Sequence, residues 1–297
     1  MRQKNNWLIH IILISACFLV MFPIVFAVIK ATQTRAAVLS PSLIPGDALL
    51  INIRQVWFNA NLGMFMRNSL IISLAVTIGK TFLSLFAGMA IVYFRFPGRK
   101  IIFVFILFTL MLPTEVLIVP LFDLISQQPP ESLAEFWTWF RNPRQVLFEP
   151  GIFGFGWSNT YLAVIMPFLA SATGVFLFRQ HFMSIPTTLA DAARIDGAGP
   201  VRFLWQILVP MSANTIGALA VIQFVYMWNQ YIWPRLIIQR EEFQVVQVGL
   251  NLIIGTGEGV EWGYVMAGAI ITLIPPLLVF AMLQEQFNKG FALSSEK

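Results

Sequence analysis

Apolar side chains fill six long stretches of this chain, and polar side chains collect between them. The stretches run over residues 7–28, 69–94, 101–121, 160–178, 213–233 and 264–283. Each is close to the roughly 20 residues that a helix needs to cross the hydrocarbon core of a bilayer. None of them alternates apolar and polar residues in the way that the strands of a membrane barrel do. The pattern therefore predicts an all-α, polytopic membrane protein with six transmembrane helices.

The composition agrees with a surface that faces lipid. Apolar residues make up 58% of the 297 residues and charged residues only 11%, whereas a soluble domain carries about 25% charged residues. So small a pool of charge cannot cover a surface that faces water. We therefore expect the whole chain, residues 1–297, to form a single transmembrane domain.

The first stretch follows Arg2 and Lys4, which is also how a secretory signal peptide begins. The apolar core of a signal peptide is usually only about 7–15 residues long. The stretch over residues 7–28 is longer than that, which favours a retained membrane helix over a cleaved signal.

Lysine and arginine residues indicate how the chain is oriented in the membrane. They lie at the N-terminus, in the short loop over residues 95–100, after the fourth stretch and in the C-terminal tail. Short loops rich in these residues stay in the cytoplasm, and six spans would place all four segments on one side. The prediction is that both termini are cytoplasmic. The chain has a net charge of +5, but its basic residues are scattered and not gathered on one face, so nucleic acid is not an expected partner.

The sequence carries little that suggests catalysis or metal binding. The single cysteine, Cys17, cannot form an intrachain disulfide, and His10 and His181 lie too far apart to suggest a metal site. Gly79-Lys80-Thr81 ends like a phosphate-binding loop, but Leu74 stands where that motif requires its first glycine. With no nucleotide loop in the chain, any ATP hydrolysis must belong to a partner chain.

The most informative polar segment covers residues 184–210, between the fourth and fifth stretches. It predicts a helix–turn–helix. Thr188 and Asp191 resemble a capping box at the start of the first helix. Gly197 suits the left-handed residue that follows a helix end, and Pro200 suits the first position of the next helix.

The second helix of this pair has one apolar face, and it ends at Pro210. The residues of that face are Phe203, Leu204, Ile207 and Leu208. An amphipathic helical pair in a cytoplasmic loop favours docking into the groove of a partner protein. The alternative is a hairpin that lies on the membrane surface.

The spacing of residues in this loop also indicates a family. An Asp-Ala-Ala triplet begins at Asp191, a glycine follows after three residues, and nine residues later an Ile-x-Val-Pro sequence ends at Pro210. This resembles the EAA loop of permeases from bacterial ATP-binding-cassette (ABC) importers, with Asp191 in place of the family's Glu and Val209 in place of its Leu. The resemblance implies a type I ABC importer transmembrane fold and a loop that couples to an ATPase subunit. It assigns the coupling role to Asp191, Ala192, Ala193, Asp196, Gly197, Ile207 and Pro210.

Other segments resemble the carbohydrate-uptake branch of that family, in its second permease subunit. They cover residues 96–99, 111–115 and 228–231, while residues 170–180, 226–234, 256–262 and 294–297 are similar to importers of sn-glycerol-3-phosphate. The resemblance implies that the chain is a non-enzymatic subunit of the bacterial cytoplasmic membrane without a cofactor of its own. Its implied partners are a second permease chain, two ATPase subunits that bind ATP and Mg²⁺, and an extracytoplasmic solute-binding protein. The alternative solute is a sugar or oligosaccharide.

Several polar residues fall inside the apolar stretches and are candidates for the translocation path. Glu115, between Pro113 and Pro120, would either line the path or support a backbone break at the prolines. Lys80 would either form a buried structural pair or contact the solute, and intramembrane charges usually face a bundle interior or a wet cavity. The four residues Trp228, Asn229, Gln230 and Tyr231 would either line the path or hold helices together, since amides do both in membranes.

Two other classes of protein fit the sequence less well. A secondary transporter often shows inverted repeats around midplane ion sites, and no repeat is visible here. A membrane enzyme would need clustered acids, histidines or an activated nucleophile, and Glu115 is the only acid firmly inside a stretch.

Overall fold

The regular structure of the described residues is entirely helical. A computed structural model describes residues 7–126, 155–255 and 260–292. The helices are α1 (Trp7–Ala31), α2 (Arg35–Val38), α3 (Leu49–Arg54), α4 (Leu62–Tyr93), α5 (Arg99–Thr109), α6 (Ile118–Ser126), α7 (Tyr161–Leu169), α8 (Ala172–Ser184), α9 (Thr187–Ile195), α10 (Pro200–Met211), α11 (Ala213–Trp228), α12 (Ile232–Ile237), α13 (Val246–Gly255) and α14 (Trp262–Ala292). Every element in these ranges is a helix, so the predicted all-α class is confirmed for them. Helices suit a membrane because each satisfies its own backbone hydrogen bonds in lipid.

Four helical segments in the described ranges are long and apolar enough to cross a membrane. They are Trp7–Ala31, Leu62–Tyr93, Tyr161–Ser184 and Trp262–Phe287. A fifth would be the pair α10 and α11, which bends by 79° between its two helices. These segments correspond to five of the six predicted spans, although α4 begins at Leu62 and not at residue 69.

The predicted third span, residues 101–121, is not one continuous helix. α5 ends at Thr109, and the N–H groups of residues 110–112 bond to carbonyls three residues back. Pro113 has no N–H to donate and disfavours a helical conformation in the residue before it. A 3₁₀-helix over Thr114–Leu117 then leads into α6.

The chain divides into two compact units, residues 1–67 with 245–275, and residues 68–244 with 276–297. In the first unit, the side-chain amide of Asn52 donates to the carbonyl oxygens of Ala31 (2.7 Å) and Gln33 (3.0 Å). These bonds satisfy backbone acceptors at and just after the C-terminal end of α1, where helix carbonyls lack helical partners.

The second unit contains a large apolar cluster where α4, α8, α9, α10 and α11 meet. Its buried members are Leu85, Met89, Phe178, Phe182, Ile185, Ala190, Ala193, Phe203, Leu204, Leu208 and Leu219. This cluster fixes the position of the α9–α10 hairpin on the longer helices. The predicted loop over residues 184–210 is therefore a packed part of the unit.

Candidate functional site

The first helix of the hairpin, α9, begins differently from the sequence prediction. Pro186 occupies the N-cap position with an extended backbone (φ −57°, ψ 132°), and no side chain caps the helix. Because the helix starts at Thr187, Thr188 lies inside it and comes too late to act as a cap, so the predicted capping box is wrong. The carboxylate of Asp191 instead accepts a hydrogen bond from Arg194 (3.2 Å).

The turn between the two helices follows the prediction. Gly197 has φ +72°, and the N–H groups of Gly197 and Ala198 donate to the carbonyls of Arg194 (3.1 Å) and Ala193 (2.8 Å). This pair of bonds is the Schellman arrangement that closes many helices. Pro200 then occupies the first turn of α10, as predicted.

The inner face of α10 is apolar and packs against the cluster. Phe203, Leu204 and Leu208 are buried, and Ile207 is partly buried against them. Residues 204–208 form a π turn just before Pro210, a distortion that often accompanies a missing helical hydrogen bond. At the bend into α11, the Ser212 hydroxyl donates to the Leu208 carbonyl (2.6 Å).

The opposite face of the hairpin is exposed. Asp191, Ala192, Asp196, Gly197 and Pro210 are all exposed, whereas Ala190 and Ala193 are buried against the cluster. Ile195 is the most exposed large apolar residue in the described chain, at 86%.

The path candidates near the end of α11 do not all lie in the same environment. Trp228 is buried and stacks on Phe224, with ring centroids 5.8 Å apart. Asn229 is exposed and donates to the Val225 carbonyl (2.9 Å), while Gln230 and Tyr231 are half-buried. The backbone of residues 229–231 is not helical, so this segment interrupts the helix between α11 and α12.

α12, which follows this break, is anchored by Trp233. The indole of Trp233 donates to the Ala163 carbonyl in α7 (3.1 Å). Glu115 lies at another break, in the 3₁₀-helix that follows Pro113; its side chain lies outside the described set.

Lys80 has a buried partner in the structure. Its ammonium donates to the side-chain oxygen of Gln223 (2.8 Å), and both side chains are buried. Inserting a lysine at the centre of a membrane helix costs roughly 2.5–3.5 kcal/mol, and the bond across to α11 offsets part of that cost. The expected buried pair is present, with an amide as the partner.

Comparison with known proteins gives a consistent result. Residues 80–292 match the family described as binding-protein-dependent transport system inner membrane component. The chain belongs to this family. It is a permease subunit of an ABC importer in the inner membrane, so the secondary transporter and the membrane enzyme are both set aside.

Relatives of this inner membrane component can be aligned with nearly its whole length. The chain is 38% identical to the sn-glycerol-3-phosphate transport system permease protein UgpE of Escherichia coli K12, with 100% of both chains covered. It is 36% identical to the UgpE of Brucella melitensis, over 97% of this chain and 96% of that one.

A solved structure shares the fold of this inner membrane component. It is a bacterial ABC transporter involved in the import of alginate, with a TM-score of 0.75 and 18% identity over 97% of this chain and 99% of that chain. A second structure, of the alginate transporter in complex with a pentasaccharide-bound periplasmic protein, has a TM-score of 0.60 and 16% identity over 94% and 93%. At this level of sequence identity, both similarities show a shared fold.

The structure of this inner membrane component also shows polar residues that the sequence pattern did not single out. Gln223 was missed, although an isolated glutamine in the middle of an apolar stretch was a usable signal. Asn159 was missed too: it has φ +61°, and its side-chain oxygen accepts from the N–H groups of Gln239 (2.6 Å) and Arg240 (2.9 Å).

Proposed function

We propose that this permease forms, with a second permease chain, the membrane path of an importer for sn-glycerol-3-phosphate. Separate ATPase subunits would bind ATP and Mg²⁺ and drive alternating access, and an extracytoplasmic binding protein would deliver the solute. The full-length similarity to permeases named for this solute supports the assignment of the solute. The observation that carries the coupling role is the two-faced α9–α10 hairpin.

The hairpin is suited to transmit movement because its two faces have different environments. The inner face packs on α4, α8 and α11 through Ala193, Phe203 and Leu204. The outer face presents Ala192 and Ile195 to a partner. Because protein interiors are closely packed and resist compression, a displacement of the hairpin by an ATPase subunit would move the three helices with it. Asp191, Asp196 and Gly197 on the outer face would contribute to the same contact.

The proposed topology has six spans and cytoplasmic termini in one transmembrane domain. The third span would be the broken segment formed by α5, the 3₁₀-helix and α6. The hairpin and the basic loop over residues 95–100 would lie on the cytoplasmic side, which the positive charge of that loop supports.

The proposed path includes the two breaks in the apolar segments. Asn229, Gln230 and Tyr231 offer amide and phenol groups where the backbone between α11 and α12 is not helical. Trp228 would support this break from the protein side, since it is buried. Glu115 would line the path at the other break.

The function can be tested with the whole complex in proteoliposomes. The measurement is ATP-dependent uptake of radiolabelled glycerol-3-phosphate, with maltose, trehalose and glycerophosphodiesters as competitors. Inhibition by phosphoglycerols alone is expected. Inhibition by a sugar would show that the solute is a sugar and would leave the importer mechanism in place. Uptake without ATP or the ATPase subunit would overturn the proposal.

The coupling role can be tested at Ile195. Replacing Ile195 by Glu places a charge in the proposed contact without disturbing the buried cluster, and uptake is expected to fall while the permease pair still assembles. The matched control is Ile195→Leu, which keeps an apolar side chain of the same size. Normal uptake by the Ile195→Glu complex would show that this face does not meet the ATPase.

A further inference from the structure

A buried polar stripe runs along one side of α4, a helix otherwise apolar enough to cross a membrane. Its members are Ser69, Ser73, Thr77, Lys80, Thr81 and Ser84, each no more than 8% exposed. At about 100° per residue these positions fall within an arc of roughly 120°, and they extend over roughly 22 Å of helix. The stripe therefore covers much of the roughly 30 Å thickness of a hydrocarbon core.

Four hydroxyls of this stripe have no hydrogen-bond partner in the described part of the chain. They belong to Ser73, Thr77, Thr81 and Ser84. Buried polar groups in proteins are nearly always hydrogen-bonded, and each exception calls for an explanation. Ser84 packs against Gly174 of α8, whereas Thr77 and Thr81 lie beside Lys80 on α4, so a polar ligand at the Lys80 ammonium would satisfy their hydroxyls.

The cation in the middle of the stripe lacks a counter-charge among the described side chains. None of the ion pairs found there includes Lys80. An ammonium group can donate three hydrogen bonds, and the one found for Lys80 goes to the neutral amide of Gln223. In a medium of low dielectric constant an unneutralised charge attracts an anion strongly.

The surroundings of Lys80 connect it to the surface and to the proposed path. Its ammonium lies 5.8 Å from the ring centroid of Tyr226, a residue that is 40% exposed. Gln223 and Tyr226 lie three residues apart on α11, and so share one face of that helix. That face leads towards the break at residues 229–231.

We propose that Lys80, oriented by Gln223 and flanked on α4 by Thr77 and Thr81, binds the phosphate group of the solute as it passes through the membrane. The inference rests on the proposed function and deepens it, because it names the residue that separates a phosphate monoester from a neutral polyol. The ammonium supplies the charge, and the hydroxyls supply further donors to the phosphate oxygens.

The deciding variant is Gln223→Glu, which changes almost no volume and places a carboxylate beside the ammonium. An ion pair would then neutralise Lys80 while keeping the two helices joined. Glycerol-3-phosphate uptake by the whole complex in proteoliposomes is expected to fall at least about tenfold, the size of one charge-assisted hydrogen bond. Lys80→Met is expected to show the same loss, and Lys80→Arg to retain most of the uptake.

Two further readouts separate this role from a structural one. The thermal stability of the complex, and its content of the second permease chain and the ATPase subunits, are expected to stay near the wild-type values in Gln223→Glu. If the pair only joins two helices, Gln223→Glu will transport glycerol-3-phosphate normally, and the inference is wrong. A wild-type complex that transports only neutral sugars would refute glycerol-3-phosphate as the solute. That result concerns the proposed function, and it would be seen before any Lys80 or Gln223 variant is made.

Discussion

Gly174 in α8 lies directly against Ser84 in α4, so closely that a Cβ atom at position 174 would be 2.8 Å from the Cβ atom of Ser84. Small residues let membrane helices approach each other in this way. Gly174→Ala is therefore expected to destabilise the complex by about 1–3 kcal/mol, as overpacking does. Thermal unfolding of the detergent-solubilised complex measures the effect.

The matched control removes the opposing atom. In a Ser84→Gly, Gly174→Ala double variant, the new methyl group occupies the space that the serine side chain left. Part of the stability is expected to return relative to Gly174→Ala alone. An unchanged melting temperature in Gly174→Ala would show that α4 and α8 are not in this contact.

Gly197 has a left-handed backbone (φ +72°), and no described atom beyond Gly197 and its two chain neighbours lies within 4 Å of the point where a Cβ atom would stand. Gly197→Ala is expected to cost about 1–2 kcal/mol from backbone strain alone and to lower the solute transported per ATP hydrolysed. Gly197→Asn is the control, because asparagine tolerates this conformation better. Equal coupling ratios for alanine, asparagine and glycine would contradict the role of the Schellman turn.

Asn68 uses both ends of its amide to hold a loop in the second unit. Its nitrogen donates to the carbonyls of Glu242 (2.8 Å) and Gln244 (2.9 Å), and its oxygen accepts from the Tyr161 hydroxyl (2.7 Å). Tyr161→Phe removes one bond and is expected to cost about 1 kcal/mol. Asn68→Leu leaves the loop carbonyls without their donor and is expected to cost roughly 2–4 kcal/mol.

Limited proteolysis of the complex distinguishes these two variants. Faster cleavage within residues 238–244 is expected for Asn68→Leu, while Tyr161→Phe is expected to resemble the wild type. Equal cleavage rates in all three proteins would mean that the amide does not hold the loop.

The ion pair of Arg35 and Glu261 in the first unit is short, at 2.7 Å, but the arginine side chain is 61% exposed. Exposed pairs contribute about 0–1 kcal/mol because water and salt screen them. Arg35→Gln is therefore expected to lower the melting temperature only slightly, and this decrease is expected to be smaller at high salt. A loss above about 2 kcal/mol that persists in 1 M salt would contradict this expectation.

Local chemistry was sufficient to predict the features that depend on neighbouring residues. The turn at Gly197 and Pro200 was correctly predicted, because each residue has a conformational preference that its neighbours did not oppose. The capping box at Thr188 was wrong for a related reason: Pro186 already set the start of α9. The candidate path over residues 228–231 could be located as a polar interruption of an apolar stretch. The sequence did not indicate which of these side chains is buried and which is exposed.

Length and hydropathy predict where the chain can cross a membrane, because a bilayer imposes the same requirement on every helix. They do not predict whether a stretch remains straight: the break at residues 110–113 follows from Pro113, which hydropathy alone does not register, and the break at residues 229–231 depends on how the surroundings satisfy the backbone. For that reason the third stretch was expected to be one helix and is not.

Residue types and spacing along the chain were enough to predict a helical membrane protein with a helical hairpin within residues 184–210, because periodicity and turn chemistry act over a few residues. Only the folded chain shows that Lys80 meets Gln223 and that Asn68 holds residues 242 and 244. These partners lie more than a hundred positions apart in the sequence, and helix packing selects them from many equivalent polar groups.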